Sequence, residues 1–216
     1  MRLYLASTSP ARLQTLRAAG IEPTAAPPGV DEEAVVAAHE AGSGPLAARD
    51  MVQLLAQAKA EALVGATVGG APVDGLILGG DSAFLTGGQI HGKPHRPDVA
   101  RQRWLAQNGG HGELWSGHWL IDHRGGRPNA AVGRADVATV HFAALDEVEI
   151  DAYIATGEPL LVAGAFTIDS LGGPFIRRVE GDPSTVVGLS LSTLRDLVRE
   201  LGVGWPSLWN RSPATE

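Results

Sequence analysis

Short apolar runs and helix-length stretches alternate along this chain, and that alternation predicts an α/β arrangement. Leu3-Tyr4-Leu5-Ala6 reads as a first strand, followed by Ser7-Thr8-Ser9-Pro10 and a helix to about Ala19 with Leu13 and Leu16 facing inward. Ser9 suits the N-cap, Pro10 the first helical position and Gly20 the stop. Residues 22–29 predict a short strand and a loop, and Ala34-Val35-Val36-Ala37 begins a second helix behind Asp31-Glu32-Glu33. After the break at Gly42-Ser43-Gly44-Pro45 a long helix is predicted from Leu46 to Val64. At about 100° per residue its apolar stripe is Met51, Leu54, Leu55, Ala58 and Ala62, with Lys59 on the stripe's edge. Gly75-Leu76-Ile77-Leu78 reads as a buried strand, and Ala83-Phe84-Leu85, Thr86-Gly87-Gly88 and Gln89-Ile90-His91 as a hairpin. Pro97 to Gln107 follows as a helix, then strands at Glu113 to Ile121 and Ala135 to Phe142, and a helix from Asp146 to Thr156. A bend dense in glycine (163–173), a strand at Phe175 to Val179 and a last helix, Leu191 to Leu201, complete the order.

At 216 residues and 44% hydrophobic content the chain is long enough for a sizeable core. Residues 1–203 are read as one domain and residues 204–216 as a loosely ordered tail. A net charge of −7 argues against a broad nucleic-acid or anionic-membrane surface but leaves room for a local basic pocket. With no cysteine, any metal is held by oxygen or imidazole. No run of ~20 apolar residues predicts a membrane span, and no signal peptide is evident, so a cytoplasmic protein is expected.

Chemistry is carried by a few charged and hydroxyl residues. Asp81 is the first acid after the 75–78 strand, where α/β sheets place ligands. The hairpin after it offers a way to return Lys93 towards that carboxylate. Taken alone, the two read first as a turn-capping aspartate and a solvated lysine. Ser7, Ser9 and Arg12 surround a predicted helix start, which is either an anion site or an ordinary capped helix. The 31–33 acids either answer the helix dipole or supply a second carboxylate for Mg²⁺. Lys59 either snorkels to water or points towards a phosphate. None of the seven histidines has a helical metal-ligand spacing, and they are read as structural or solvent-facing. Trp115 and Trp119 are read as packing residues.

Eight segments, in order from residue 5 to residue 189, resemble the Maf-like nucleotide pyrophosphatases. They are 5–12 (LASTSPAR), 30–32 (VDE), 56–60 (AQAKA), 79–82 (GGDS), 92–94 (GKP), 153–159 (YIATGEP), 163–166 (AGAF) and 180–189 (EGDPSTVVGL). The resemblance implies an elongated, two-lobed α/β fold with a central mixed sheet flanked by helices, similar to the inosine triphosphate pyrophosphatases. It implies hydrolysis of nucleoside triphosphates to the monophosphate and pyrophosphate with a divalent cation, Mg²⁺ or Mn²⁺. By the same resemblance Asp81 and Glu32 are the catalytic, metal-holding acids, and Ser7, Ser9, Arg12, Lys59 and Lys93 handle phosphate. A tendency to homodimers is implied too, as is a link to septum formation, so that a nucleotide-binding regulator of cell division with little hydrolysis is the alternative function.

The chain departs from the family pattern at three places. Ala11 and Val162 stand where many members carry a basic residue, and Asp169-Ser170 replaces a frequent Gln-Gly pair. The first two changes remove positive charge from the anion-handling set. The third puts the acid Asp169 where the resemblance implies contact with the base, and these departures leave the preferred nucleotide open.

Overall fold

A computed structural model describes residues 1–210. In chain order the elements are β1 (Leu3–Ala6), α1 (Pro10–Ala18), β2 (Thr24–Ala26), α2 (Glu32–Ser43), α3 (Ala48–Glu61), β3 (Thr67–Val68), β4 (Ala71–Pro72) and β5 (Gly75–Thr86). Then come β6 (Gln89–His91), α4 (Pro97–Gln107), β7 (His111–His123), β8 (Ala130–Phe142), α5 (Glu147–Ala155), β9 (Ile176–Glu180), α6 (Pro183–Val187) and α7 (Leu191–Glu200). The main sheet runs β2-β1-β5-β7-β8-β9, with β6 paired to β5. β1 is parallel to both β2 and β5, and the other pairings in this sheet are antiparallel, so the sheet is mixed as expected.

Strand alternation assigns the two faces. Leu76 and Leu78 pack with Leu16, Leu194, Leu197 and Val198 on the side of α1 and α7. Ile77, one residue out of phase, packs with Ala60 and Leu63 on the side of α3. Farther along the same strands Phe84, Leu114, Val140 and Phe142 meet Trp104 of α4, Tyr153 of α5 and Phe166 in an aromatic-rich core. Asp81 lies between these two regions of packing.

Two expectations need correction. The strand at 75–78 does not stop before Asp81 but runs on to Thr86 as one element, β5. β1 pairs with β5 only as far as Ala6 opposite Gly79, and β6 begins pairing at Phe84. Between those points neither strand lines that edge of β5, so Asp81 sits past the carboxyl end of β1 rather than of its own strand.

Second, of the stripe that hydropathy selects α3 buries only Leu55, and with it Ala48, Val52, Ala56, Lys59 and Ala60. The cause is two glycines on the sheet. A Cβ on Gly79 would lie 2.0 Å from the Ala56 carbonyl oxygen, and one on Gly117 would lie 2.1 Å from that of Val52. Helix backbone rests directly on strand backbone at these two points, and that contact sets which face of α3 turns to the sheet.

Residues 204–210, the described part of the segment read as a tail, make several contacts with the rest of the chain. Leu208 is fully buried, the Met1 amine donates to Ser207 O, and the Asn210 side chain bonds Glu22 on both its amide nitrogen and oxygen. The rest of that segment, 211–216, lies outside the described residues.

Candidate active site

Period 2 along β5 sends Ile77, Gly79 and Asp81 towards α3 and Gly80 and Ser82 towards α1. On the α3 side, Lys59 Nζ lies 2.7 Å from Asp81 Oδ1 and 2.7 Å from Glu32 Oε1. Lys59 and Asp81 are buried, while Glu32, in the first turn of α2, is half exposed. Asp31 caps that helix through the Ala34 N–H, which fixes where Glu32 begins. Burial pushes the Asp81 carboxyl above its ordinary range, and Lys59 and Arg12 oppose that push.

On the α1 side Arg12 is almost wholly buried. Its Nε donates to Gly188 O at 2.8 Å, Nη1 to Ser7 Oγ at 3.2 Å and Nη2 to Ser82 Oγ at 2.8 Å. Ser82 Oγ in turn lies 3.1 Å from Ser116 Oγ, which donates to Thr185 O. Three segments distant in sequence are thus tied through one guanidinium. Each terminal nitrogen keeps one further N–H for a ligand. Burial lowers the Arg12 pKa, and Asp81 and Glu32 pull it back. The Ser9 hydroxyl is the N-cap of α1, accepting from the Arg12 N–H, as its position predicts.

A cleft of about 1230 Å³ gathers every residue singled out in the sequence: Ser7, Ser9, Arg12, Glu32, Lys59, Asp81, Lys93 and Asp169 all line it. The lysine that meets Asp81 is Lys59. Lys93, expected there by way of the hairpin, is an exposed wall residue of the same cleft. The hairpin itself forms as predicted, with positive φ at Gly87 and Gly88. His95, set aside in the sequence, also lines the cleft. His118 and His123 are buried and hydrogen-bonded to backbone, in agreement with a structural role.

Sequence reasoning missed Ser82 and Ser116 as Arg12's supports, and Glu158 as the centre of a loop along the cleft. Adjacency to Asp81 marked Ser82, but nothing local marked the others. Among the described residues no three His, Asp or Glu side chains cluster as a ready metal site. Two convergent carboxylates do suit an ion that completes its shell with water and substrate phosphate, as Mg²⁺ does. No helix among the described residues is long and apolar enough to cross a membrane.

Comparison with known proteins gives the family. Residues 2–201 match the family described as Maf-like protein. A relative from Leifsonia xyli subsp. xyli, named nucleoside triphosphate pyrophosphatase, is 71% identical over 98% of each chain. Relatives of the same name from Nocardia farcinica and Salinispora tropica are 49% and 47% identical, covering 98% and 100% of this chain and 98% and 90% of their own.

Proposed function

The chain belongs to the Maf-like family, and from that premise we propose that it is a nucleoside triphosphate pyrophosphatase, a hydrolase releasing nucleoside monophosphate and pyrophosphate. The observation that carries the residue assignment is the convergence of Glu32 and Asp81 on one lysine, in the cleft that also holds Ser7, Ser9 and Arg12. Glu32 and Asp81 would hold Mg²⁺ or Mn²⁺, which when bound offsets phosphate charge and acidifies water.

Asp81 is the general base. Its raised pKa moves it towards the operating range of such a group, and Oδ2 is the oxygen left to take the proton because Oδ1 faces Lys59. Lys59, Lys93 and the remaining Arg12 N–H groups offset charge on the triphosphate as it grows on the leaving pyrophosphate. Ser7, Ser9 and the start of α1 add hydroxyl and backbone donors. Asp169, carrying no positive charge, belongs with the nucleoside rather than the phosphates. Action on free nucleotides in the cytoplasm, as a homodimer, completes the proposal.

Asp81→Asn tests it. The variant should bind nucleotide and lose ~10²–10⁴-fold in turnover, read as pyrophosphate release from standard and modified nucleotides with Mg²⁺. Near-normal release by the variant would remove Asp81 from the role of base. Orthophosphate and diphosphate as products would replace the proposed reaction with a terminal phosphatase. Saturable nucleotide binding by the wild type without any hydrolysis would favour the regulator.

A further inference from the structure

The stretch between α5 and β9 has no regular strand or long helix to hold it, yet it supplies Phe166, Thr167, Ile168 and Asp169 to the cleft. One side chain organises it. The Glu158 carboxylate accepts from Tyr153 Oη at 2.9 Å, Thr167 Oγ1 at 2.5 Å and Ser170 Oγ at 2.6 Å. It also accepts from the backbone N–H groups of Leu171, at 3.3 Å, and Gly172, at 3.2 Å. Tyr153 Oη receives the Thr167 N–H at 3.2 Å, so the phenol and carboxylate grip the loop at both ends. The fit leaves no slack: a Cβ on Gly172 would lie 2.5 Å from Tyr153 Oη and 2.6 Å from Thr167 O. Burial works against ionisation of Glu158, but these hydrogen bonds outweigh it and bring its pKa down to about 2. The carboxylate is therefore fully charged wherever the protein is folded and active, and charged acceptors make the stronger hydrogen bonds.

What the loop presents to the cleft has no cation. Thr167 and Ile168 are neutral, and Asp169 would repel phosphate. A wall of that chemistry suits the nucleoside, while Ser7, Arg12 and Lys59 suit the phosphates. Resting on the function proposed above, we infer that Glu158 is a positioning residue for nucleoside selection: it never touches substrate but holds the loop in the shape that the base and sugar meet.

The test pairs Glu158→Gln with two ligands. Gln keeps the shape but replaces one acceptor oxygen with an N–H₂ that faces donors. If the competent loop falls to a tenth of the population, KM for the preferred nucleotide rises about 10-fold while kcat changes by less than about twofold. Preference among bases falls with it. Inhibition by inorganic tripolyphosphate, which has no nucleoside, stays unchanged. Unchanged KM and base preference in folded E158Q overturn the inference. So does equal weakening of nucleotide and tripolyphosphate, which is the mark of general loosening. Should E158Q not accumulate as folded protein, Tyr153→Phe removes one grip without altering the core ring, and a KM rise of about threefold is expected; no rise overturns it. Should the wild type release no pyrophosphate from any nucleotide, the proposed activity has failed by itself, and calorimetric nucleotide Kd for the same variants decides the loop's role.

Discussion

Replacing Gly79 by Ala tests whether the contact between α3 and β5 is what aligns the catalytic groups. The added methyl would sit 2.0 Å from Ala56 O, 2.7 Å from Ala60 N and 2.9 Å from Ala60 Cβ. Two of these are backbone atoms, which cannot rotate aside. To reach ordinary contact near 3.4 Å the helix has to withdraw by roughly 1.4 Å. Lys59 lies on that helix one residue before Ala60, so its 2.7 Å contact with Asp81 opens to about 4 Å if the whole shift is transmitted. Overpacking of this kind costs about 3 kcal/mol. For a chain of this size that lowers Tm by roughly 6–12 °C. A misplacement of about 1 Å at reacting groups can cost ~10²-fold in rate.

The assay is kcat/KM for pyrophosphate release beside thermal unfolding. Gly42→Ala serves as the control, because nothing lies within 4 Å of its Cβ and its φ is not positive. It should gain a few tenths of a kcal/mol, at most about 1, with unchanged activity. If Gly79→Ala keeps Tm within about 2 °C and kcat/KM within about twofold, helix–strand spacing does not set the site.

Two further outcomes follow from the same contacts. Lys59→Met leaves Asp81 and Glu32 without the ammonium they share, which should abolish turnover and cost about 3 kcal/mol. Mg²⁺ added to chelator-treated protein should then raise Tm more for Lys59→Met than for wild type, since ion and lysine compete for the same carboxylates; equal shifts would argue against a shared site. Burial lowers the pKa of His118 from 6.5 to about 4. The unfolded chain therefore binds a proton that the folded one refuses, and stability is lost as pH falls through that interval, by about 3 kcal/mol. Urea unfolding at pH 7, 5.5 and 4 measures it, and a flat profile across those values refutes the assignment.

Local signals made the fold legible, and non-local contacts hid the details. The Ser9-Pro10 start of α1, the whole span of α4 and the two-glycine turn after Thr86 follow from capping and turn chemistry that a few adjacent residues contain. The face of α3 does not. Hydropathy favours Met51 and Leu54, but Gly79 and Gly117 let the α3 backbone at Ala56 and Val52 approach the sheet, and that approach is set on strands far along the chain. The stripe puts Lys59 at its edge for this reason, whereas the fold buries it against both Asp81 and Glu32. Lys93 was favoured because a hairpin joins it to Asp81 in sequence, whereas the helix that brings Lys59 comes from the other direction. Glu158 was hidden more completely, since four of its five donors follow it by 9 to 14 residues in an irregular loop.

The charges of the site explain why a cation belongs to the proposed chemistry. Arg12 and Lys59 carry two positive charges, and Glu32 and Asp81 carry two negative ones. The cluster is therefore neutral before substrate arrives, and its lysine is already shared between both acids. A triphosphate brings several negative charges into a partly buried cleft, where they are costly without partners. Lys93 adds one positive charge and lies exposed at the wall. By the resemblance, Ala11 and Val162 stand where a basic residue is common, so the proposed phosphate-handling set is short of positive charge. Glu32 and Asp81 would hold a divalent ion whose charge restores that balance, and Lys59 would then be available to the phosphates. On this account the carboxylate pair would be the cation site of the proposed reaction, and Lys59 Nζ is the positive charge that both acids share in this structure.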